Sequence, residues 1–190
     1  MNAVEKIQVI LNDAGATPPL KVDGHWGPRS QAALNWLVTG SPKIDGRTDW
    51  RGFVEVNQTK LKKYLPPPAD KLVPSFMEHA KTFDLNPLFL IAISQHETGS
   101  WTSPVFKTKN NAMGISGTHG PLTMPSYDES IRRMARSLSS STGYYAECDT
   151  LDDVAKVYAP VGAENDPTHV NHYWPDSVSR FWEKLEEAVV

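Results

Sequence analysis

The segment LNPLFLIAISQHETGSW, residues 85–101, constrains the fold most strongly. From Leu88 to Ile93 every residue is apolar. A helix built from such a run has no face suited to water, so it must be the buried centre of its domain. Asn86-Pro87 is a helix start signal and Gly99 a stop signal. The chain then carries Gln95, His96 and Glu97 to the end of this helix, which sets a carboxylate beside an apolar interior.

Other helices must cover that centre. VPSFMEHAKTFDLN places Val73, Phe76, Met77, Ala80 and Phe83 on one face. SYDESIRRMARSLSSS shows Ile131, Met134 and Leu138 at i, i+3, i+7. LDDVAKVYA and DSVSRFWEKLEEAVV predict two more helices. Residues 102–127 lack a helical period and read as loops with a short hairpin. The fold class expected is mainly α.

YLPPPADKLVP, 64–74, is the clearest break, because three prolines favour a stiff extended segment. It divides the chain into a front unit 1–65, a linker 66–71 and a back unit 72–190. In the front unit Val4, Ile7 and Leu11 follow a helical period, with Ile10 beside them. Asp23-Gly24 is a turn pair. Gly27-Pro28 opens a second helix with Ala33, Leu34 and Leu37 inward. Asp45-Gly46 precedes a third around 51–65, with Phe53, Val54, Leu61, Tyr64 and Leu65 as its core contacts.

Composition narrows the function classes. Hydrophobic residues make up 39% and charged residues 22% of the 190, as in globular domains. No apolar run approaches the roughly 20 residues of a membrane span. Cys148 is the only cysteine, which excludes an intramolecular disulfide and a Cys-rich zinc site. Residues 1–65 carry nine Lys and Arg against six Asp and Glu, a net +3; residues 66–190 carry ten against sixteen, a net −6. That imbalance suits two units with different jobs and is too small to point to nucleic acid. MNAVEKIQVILND lacks the order of a signal peptide, so a protein working outside its own cytoplasm would need another route out.

The front residues VEKIQVILNDAG…KVDGHWGPRSQAALNWL resemble the small three-helix peptidoglycan-binding domain. Gln8 and Leu11 match its first helix. Val22, Asp23, Gly24, Trp26, Gly27, Ala33 and Leu34 match its turn and second helix. The resemblance spans residues 4–37 and implies wall binding by the unit, with Asp23, Gly24 and Trp26 as wall-binding positions. Ser30 stands where Thr is usual. By itself Asp23-Gly24 can be simply a turn, and Trp26 can be a core residue.

Glu97 has the chemistry of a general acid. A glycosidic bond breaks when its leaving oxygen receives a proton, and a carboxyl group supplies one near neutral pH only if its pKa is raised. Burial raises it, and so does the negative end of the helix dipole. LIAISQHETGSW followed by NNAMGISG resembles the lysozyme-like glucosaminidases of glycoside hydrolase family 73. Glu97, Thr98, Gly99 and Trp101 match the first motif; Asn110, Asn111, Gly114 and Ile115 match the second. SYDESIRRMARSL is similar to that family's Tyr-Asp-Ser helix, and VYAPVGAENDPTHVNHYWPDSV to its tyrosine loop, with Tyr158 at the matching place. The resemblance covers residues 73–186. It implies a lysozyme-like helical domain with Glu97 and Tyr158 catalytic, and with Trp101, Asn110, Asn111, Gly114 and Ile115 in substrate binding. From the residues alone, Asn110 and Asn111 can cap turns, and Trp101 and Phe106 can be core. One departure stands out: no Asp or Glu lies between Thr98 and Tyr127. Asp128, Glu129, Glu164 and Asp166 are the next acids available as a second carboxylate.

Two rivals remain open. A zinc amidase or peptidase would use His25, His79, His96, His119, His169 or His172, but HETGS is not H-E-x-x-H. A non-catalytic wall-binding structural protein is the other. The reading taken forward is a monomeric peptidoglycan hydrolase of β-1,4 bonds, N-acetylglucosaminidase favoured, muramidase or lytic transglycosylase possible. It needs no cofactor, metal, nucleic acid or membrane. It acts on the bacterial wall as an endolysin, tail lysin or effector, released by a holin, phage particle or export machinery.

Overall fold

The computed structural model describes residues 1–14, 20–26, 30, 33, 34, 37, 47, 49–163 and 170–189. Gly27-Pro28, Asp45-Gly46, Glu164, Asp166 and His169 lie outside them. Two compact units divide the chain, Met1–Asp45 and Gly46–Val190.

In the first unit, Asn2 caps α1 (Ala3–Asp13) through a reciprocal box with Glu5. The expected inward face needs correction. Leu11 is buried, but Ile7 and Ile10 are 37% and 57% exposed. The inward stripe runs instead through Gln8 and Leu11. A buried amide is tolerated because its hydrogen bonds are made. Gln8 Oε1 accepts from the backbone N–H of Asp23 (3.1 Å) and Gly24 (3.0 Å), and its Nε2 donates to the His25 carbonyl at 3.0 Å. The Asp23-Gly24 turn is thus folded onto α1. Gly24 has φ +71°, and a Cβ there would meet Asn2 Nδ2 at 2.4 Å. Asn12 clamps Leu20 from both sides of its peptide unit. Leu20 closes on Leu11 with Ala33 and Leu34.

The second unit is mainly helical with one small hairpin. Its elements are α2 (Gln58–Tyr64), a 3-10 turn (Ala69–Leu72), α3 (Val73–Thr82), α4 (Pro87–Glu97), α5 (Pro104–Lys109), β1 (Ser116–Gly117), β2 (Gly120–Pro121), α6 (Tyr127–Ser139), α7 (Leu151–Tyr158), a second 3-10 turn (Val170–Tyr173) and α8 (Trp174–Val189). The strands pair antiparallel, Ser116 with Pro121 and Gly117 with Gly120. As the sequence predicts, α4 is the centre: Leu88 to Ser94 are all buried. It lies mainly against α8, with Phe89 tilted between Trp50 (5.8 Å) and Trp182 (5.3 Å). Each such side chain contributes roughly 1.5–3 kcal/mol when fully buried, so this seam holds the acid-bearing helix in place. The α5 helix was not legible because six residues are too few for a period; Ser103 caps it and Pro104 starts it.

The domain boundary is corrected too. Residues 47–65 belong to the larger unit, not the front one. Trp50 Nε1 donates to the Asp149 carbonyl at 3.2 Å, the Arg47 carbonyl accepts from Leu151 at 2.8 Å, and Asn86 N–H donates to the Trp50 carbonyl at 3.0 Å. Arg47 stacks over Trp182 and pairs with Asp49 and Glu186. The third helix is only Gln58–Tyr64, and it packs on α8. Leu61 and Leu65 are buried, whereas Val54 and Tyr64 are exposed. The proline run is a rigid corner rather than a linker, since Leu65, Ala69 and Leu72 on either side enter one core.

Candidate active site

The end of α4 is locked by a polar knot. Ser94 Oγ donates to the Ala112 carbonyl at 2.7 Å and accepts from Trp101 Nε1 at 2.9 Å. Thr98 Oγ1 donates to the Ser94 carbonyl at 2.6 Å and accepts from the Trp101 N–H at 2.9 Å. Gly99, Ser100 and Trp101 all have positive φ, 54°, 54° and 62°. For the two non-glycine residues that conformation costs roughly 1–2 kcal/mol each, and the knot supports it. The helix therefore stops abruptly, with Glu97 at its tip.

A second network brings residues 111–115 to that tip. Asn111 is wholly buried. Its Nδ2 donates to the carbonyls of Ile115 (2.8 Å) and Leu122 (2.9 Å), and its Oδ1 accepts from the Ile115 N–H at 2.9 Å and Ser130 Oγ at 3.3 Å. Ser130 Oγ also accepts from the Met113 N–H at 3.1 Å. Gly114, at φ +64°, is thereby laid on the acid. A Cβ there would come within 2.8 Å of both Glu97 Cβ and Oε2. The glycine of NNAMGISG is the residue that leaves room for the carboxyl group.

The third and fourth sides come from late in the chain. Trp174 Nε1 donates to Glu97 Oε1 at 2.8 Å. The Tyr158 ring stacks on Trp174, centroids 4.9 Å apart, and its hydroxyl donates to the Met113 carbonyl at 2.9 Å. Burial pushes the Glu97 carboxyl up to about 7, partly opposed by the Trp174 N–H. Burial, then the charge of Glu97, raises the Tyr158 phenol well above its usual range. Burial, then the charge of Arg180, lowers the His96 imidazole below its usual range. An open cleft of about 500 Å³ lies over the carboxyl, lined among others by Glu97, Gly114, Ile115, Tyr145, Tyr158 and Trp174. Glu97 lines the cleft, and with Oε1 accepting from the indole, Oε2 is the oxygen left to carry a proton.

The structure brings Glu97, Tyr158, Gly114 and Ile115 together at the cleft, but not the other expected substrate contacts. Trp101 is 2% exposed and serves the knot, so it cannot stack on a sugar. Phe106 is buried against Tyr127. Asn111 has its side chain committed to the loop, and Asn110 is the left-handed cap of α5, donating to the Met124 carbonyl at 3.3 Å. Tyr158 spends its proton on Met113, so it supports the Gly114 loop rather than donating into the cleft. Trp174, Tyr145 and Arg133 were missed. Trp174 stands inside the tyrosine-loop motif, but nothing in a sequence shows which atom an indole will face.

No second carboxylate lines the cleft among the described residues. Asp128 pairs with His79 at 2.9 Å, and Glu129 is held by Arg132 and Arg133. Also among the described residues, no group of three His, Cys, Asp or Glu could hold a metal ion, and no helix is long and apolar enough to cross a membrane. In the first unit Asp23 and Gly24 are used in the turn on Gln8, while Trp26 is 39% exposed.

No family model matches the chain. No curated protein matches it either. Among solved structures it is similar to S. aureus autolysin E in complex with the muropeptide NAM-L-Ala-D-iGlu. Identity is 14% and the TM-score 0.54, over 98% of this chain and 91% of that one. It is equally similar to a catalytic mutant of that autolysin bound to the disaccharide NAG-NAM, at 14% identity and TM-score 0.54, over 98% and 92%. At this identity the likeness shows the fold.

Proposed function

We propose that this protein is a peptidoglycan hydrolase that cuts the β-1,4 glycan strand, with Glu97 as the general acid. The observation that carries the reading is a carboxyl pushed up to about 7 at the floor of an open cleft. Near neutral pH about half of it holds a proton, which is what protonating a glycosidic oxygen requires. The similar autolysin structures hold a muropeptide and a NAG-NAM disaccharide, and that supports a wall glycan as the ligand. We favour the N-acetylglucosaminyl bond, on the family 73 motifs at Glu97 and Gly114.

In the proposed reaction the glycan lies along the cleft over Tyr145, Tyr158 and Trp174. Glu97 Oε2 gives its proton to the leaving oxygen as the glycosidic bond breaks. Positive charge develops at the anomeric carbon, and it is relieved by the substrate's own acetamido oxygen or by water. No second carboxylate lines the cleft among the described residues; Glu164 and Asp166, outside them, are the acids left for the two-carboxylate scheme. The first unit holds the insoluble wall, and tethering then raises the local concentration of the larger unit. The test is lysis by Glu97→Gln on purified walls. The amide keeps the shape and has no acidic proton, so we expect a loss of at least about a hundredfold. Lysis by the folded variant near the parent rate would overturn the assignment.

A further inference from the structure

The exposed face of α6 carries a second feature that the proton transfer does not use. Glu129, Arg132, Arg133, Arg136, Ser137 and Ser140 fall at i, i+3, i+4, i+7, i+8 and i+11, so they form one stripe. Together with Gly143 and Tyr144 they line an open groove of about 530 Å³. Three guanidinium groups face one carboxylate, a local net +2 in a stretch (66–190) whose overall charge is −6. Glu129 is shared between Arg132 (2.8 Å) and Arg133 (2.7 Å). Arg136 has no ion pair among the described residues. Tyr144 beside it is 87% exposed. The turn after α6 is tight: a Cβ on Gly143 would meet Ser140 Cβ at 2.9 Å.

The groove is continuous with the catalytic cleft. Arg133 and Ser137 line both. A ligand reaching from one to the other must be covalently joined to whatever occupies the cleft. We propose that this groove is a subsite for a carboxylate-bearing peptide branch on the glycan, with Arg136 recognising the carboxylate and Tyr144 lying against the peptide. This rests on the hydrolase reading above and names what the site selects. A planar guanidinium suits a carboxylate because two N–H groups can reach its two oxygens. A free anion or a separate anionic polymer would also be attracted by the charge, but neither would need the groove to open into the cleft.

The experiment uses the full chain, as wild type and as Arg136→Gln and Arg136→Lys. Initial rates are measured over a concentration range on three soluble glycans: peptide-free strands, strands with acidic stem peptides, and the same strands with those carboxylates amidated. Gln and Lys both keep the helix well populated, and thermal denaturation checks the fold. The wild type should show its lowest KM on the acidic strands. Arg136→Gln should raise that KM about threefold, the size expected of one exposed ion pair, without changing kcat. It should leave the peptide-free and amidated strands unaffected, while Arg136→Lys keeps part of the preference. A variant that changes all three substrates equally, or none, overturns the subsite. Wild type that cleaves all three with one KM also overturns it and leaves the hydrolase reading standing. Wild type that cleaves none of them removes both.

Discussion

Replacing Glu97 by Gln should make the protein more stable at high pH while removing its activity, and the size of the effect follows from the site. Folding moves the Glu97 carboxyl from an ordinary 4.5 to about 7. Below pH 4.5 the group is protonated in both the folded and the unfolded chain, so it carries no penalty. Between 4.5 and 7 the unfolded chain loses its proton first, and stability falls as pH rises. Above 7 the full difference applies, about 3 kcal/mol at 1.36 kcal/mol per pH unit. Glutamine is neutral throughout, and its amide oxygen can still accept from Trp174. The variant should therefore match wild type at pH 4 and exceed it at pH 9 by about 3 kcal/mol, or roughly 10 °C in Tm for a unit of this size. Thermal denaturation at both pH values, followed by tryptophan fluorescence, measures it. An equal Tm difference at pH 4 and pH 9 would show that Glu97 titrates as an ordinary surface carboxylate, and the raised-acid argument would fail.

Gly114→Ala should cost at least about tenfold in kcat, because φ +64° is unfavourable for alanine by roughly 1–2 kcal/mol and the new Cβ would displace Glu97 Oε2; unchanged kinetics would show that the loop yields freely. Trp174→Phe removes the N–H that lowers Glu97, so the alkaline limb of the kcat profile should move to higher pH; a limb that stays put or moves down contradicts the bond. Residues 46–190 should fold alone, whereas residues 70–190 should not. The shorter piece lacks Trp50, Leu61 and Leu65, whose burial is worth roughly 2 kcal/mol each, a large part of a domain's usual 5–15 kcal/mol; a cooperative unfolding transition in 70–190 would restore the boundary at the prolines.

The centre of the fold was legible because Leu88–Ile93 permits only burial, and the amphipathic faces of α3 and α6 follow from period alone. The raised pKa of Glu97 was legible for the same reason: a carboxyl that ends an apolar helix is carried against the core. What failed was every reading that needed a side chain's direction. Ile7 and Ile10 look like core, but Gln8 is inside because its amide is matched by the turn at Asp23-Gly24. Trp101 and Asn111 look like ligand contacts, yet their polar atoms are consumed by Ser94 and by the hairpin backbone. The proline run looks like a linker, yet a corner whose flanking Leu65, Ala69 and Leu72 are buried has the same composition. Periodicity reports which face is apolar; it does not report which polar group finds a partner.

Position of the acidic proton depends on the convergence of four distant stretches. Trp174 occupies Oε1, so the proton of the neutral form resides on Oε2, the oxygen beside Gly114. Gly114 holds its left-handed conformation because Met113 is held twice, by Ser130 on its N–H and by Tyr158 on its carbonyl. Asn111 and Ser130 then tie that loop to the start of α6, and Ser94 ties Ala112 to α4 itself. Each bond is worth only about 1 kcal/mol, but each fixes an orientation that the next one uses. The same logic explains how a buried carboxyl survives here. Its burial is offset by one indole N–H, enough to orient the group and too little to keep it ionised. A second donor, or a guanidinium in place of Trp174, would stabilise the carboxylate and bring its pKa back toward the ordinary range, and the proton that the proposed reaction gives to the leaving oxygen would be gone at neutral pH.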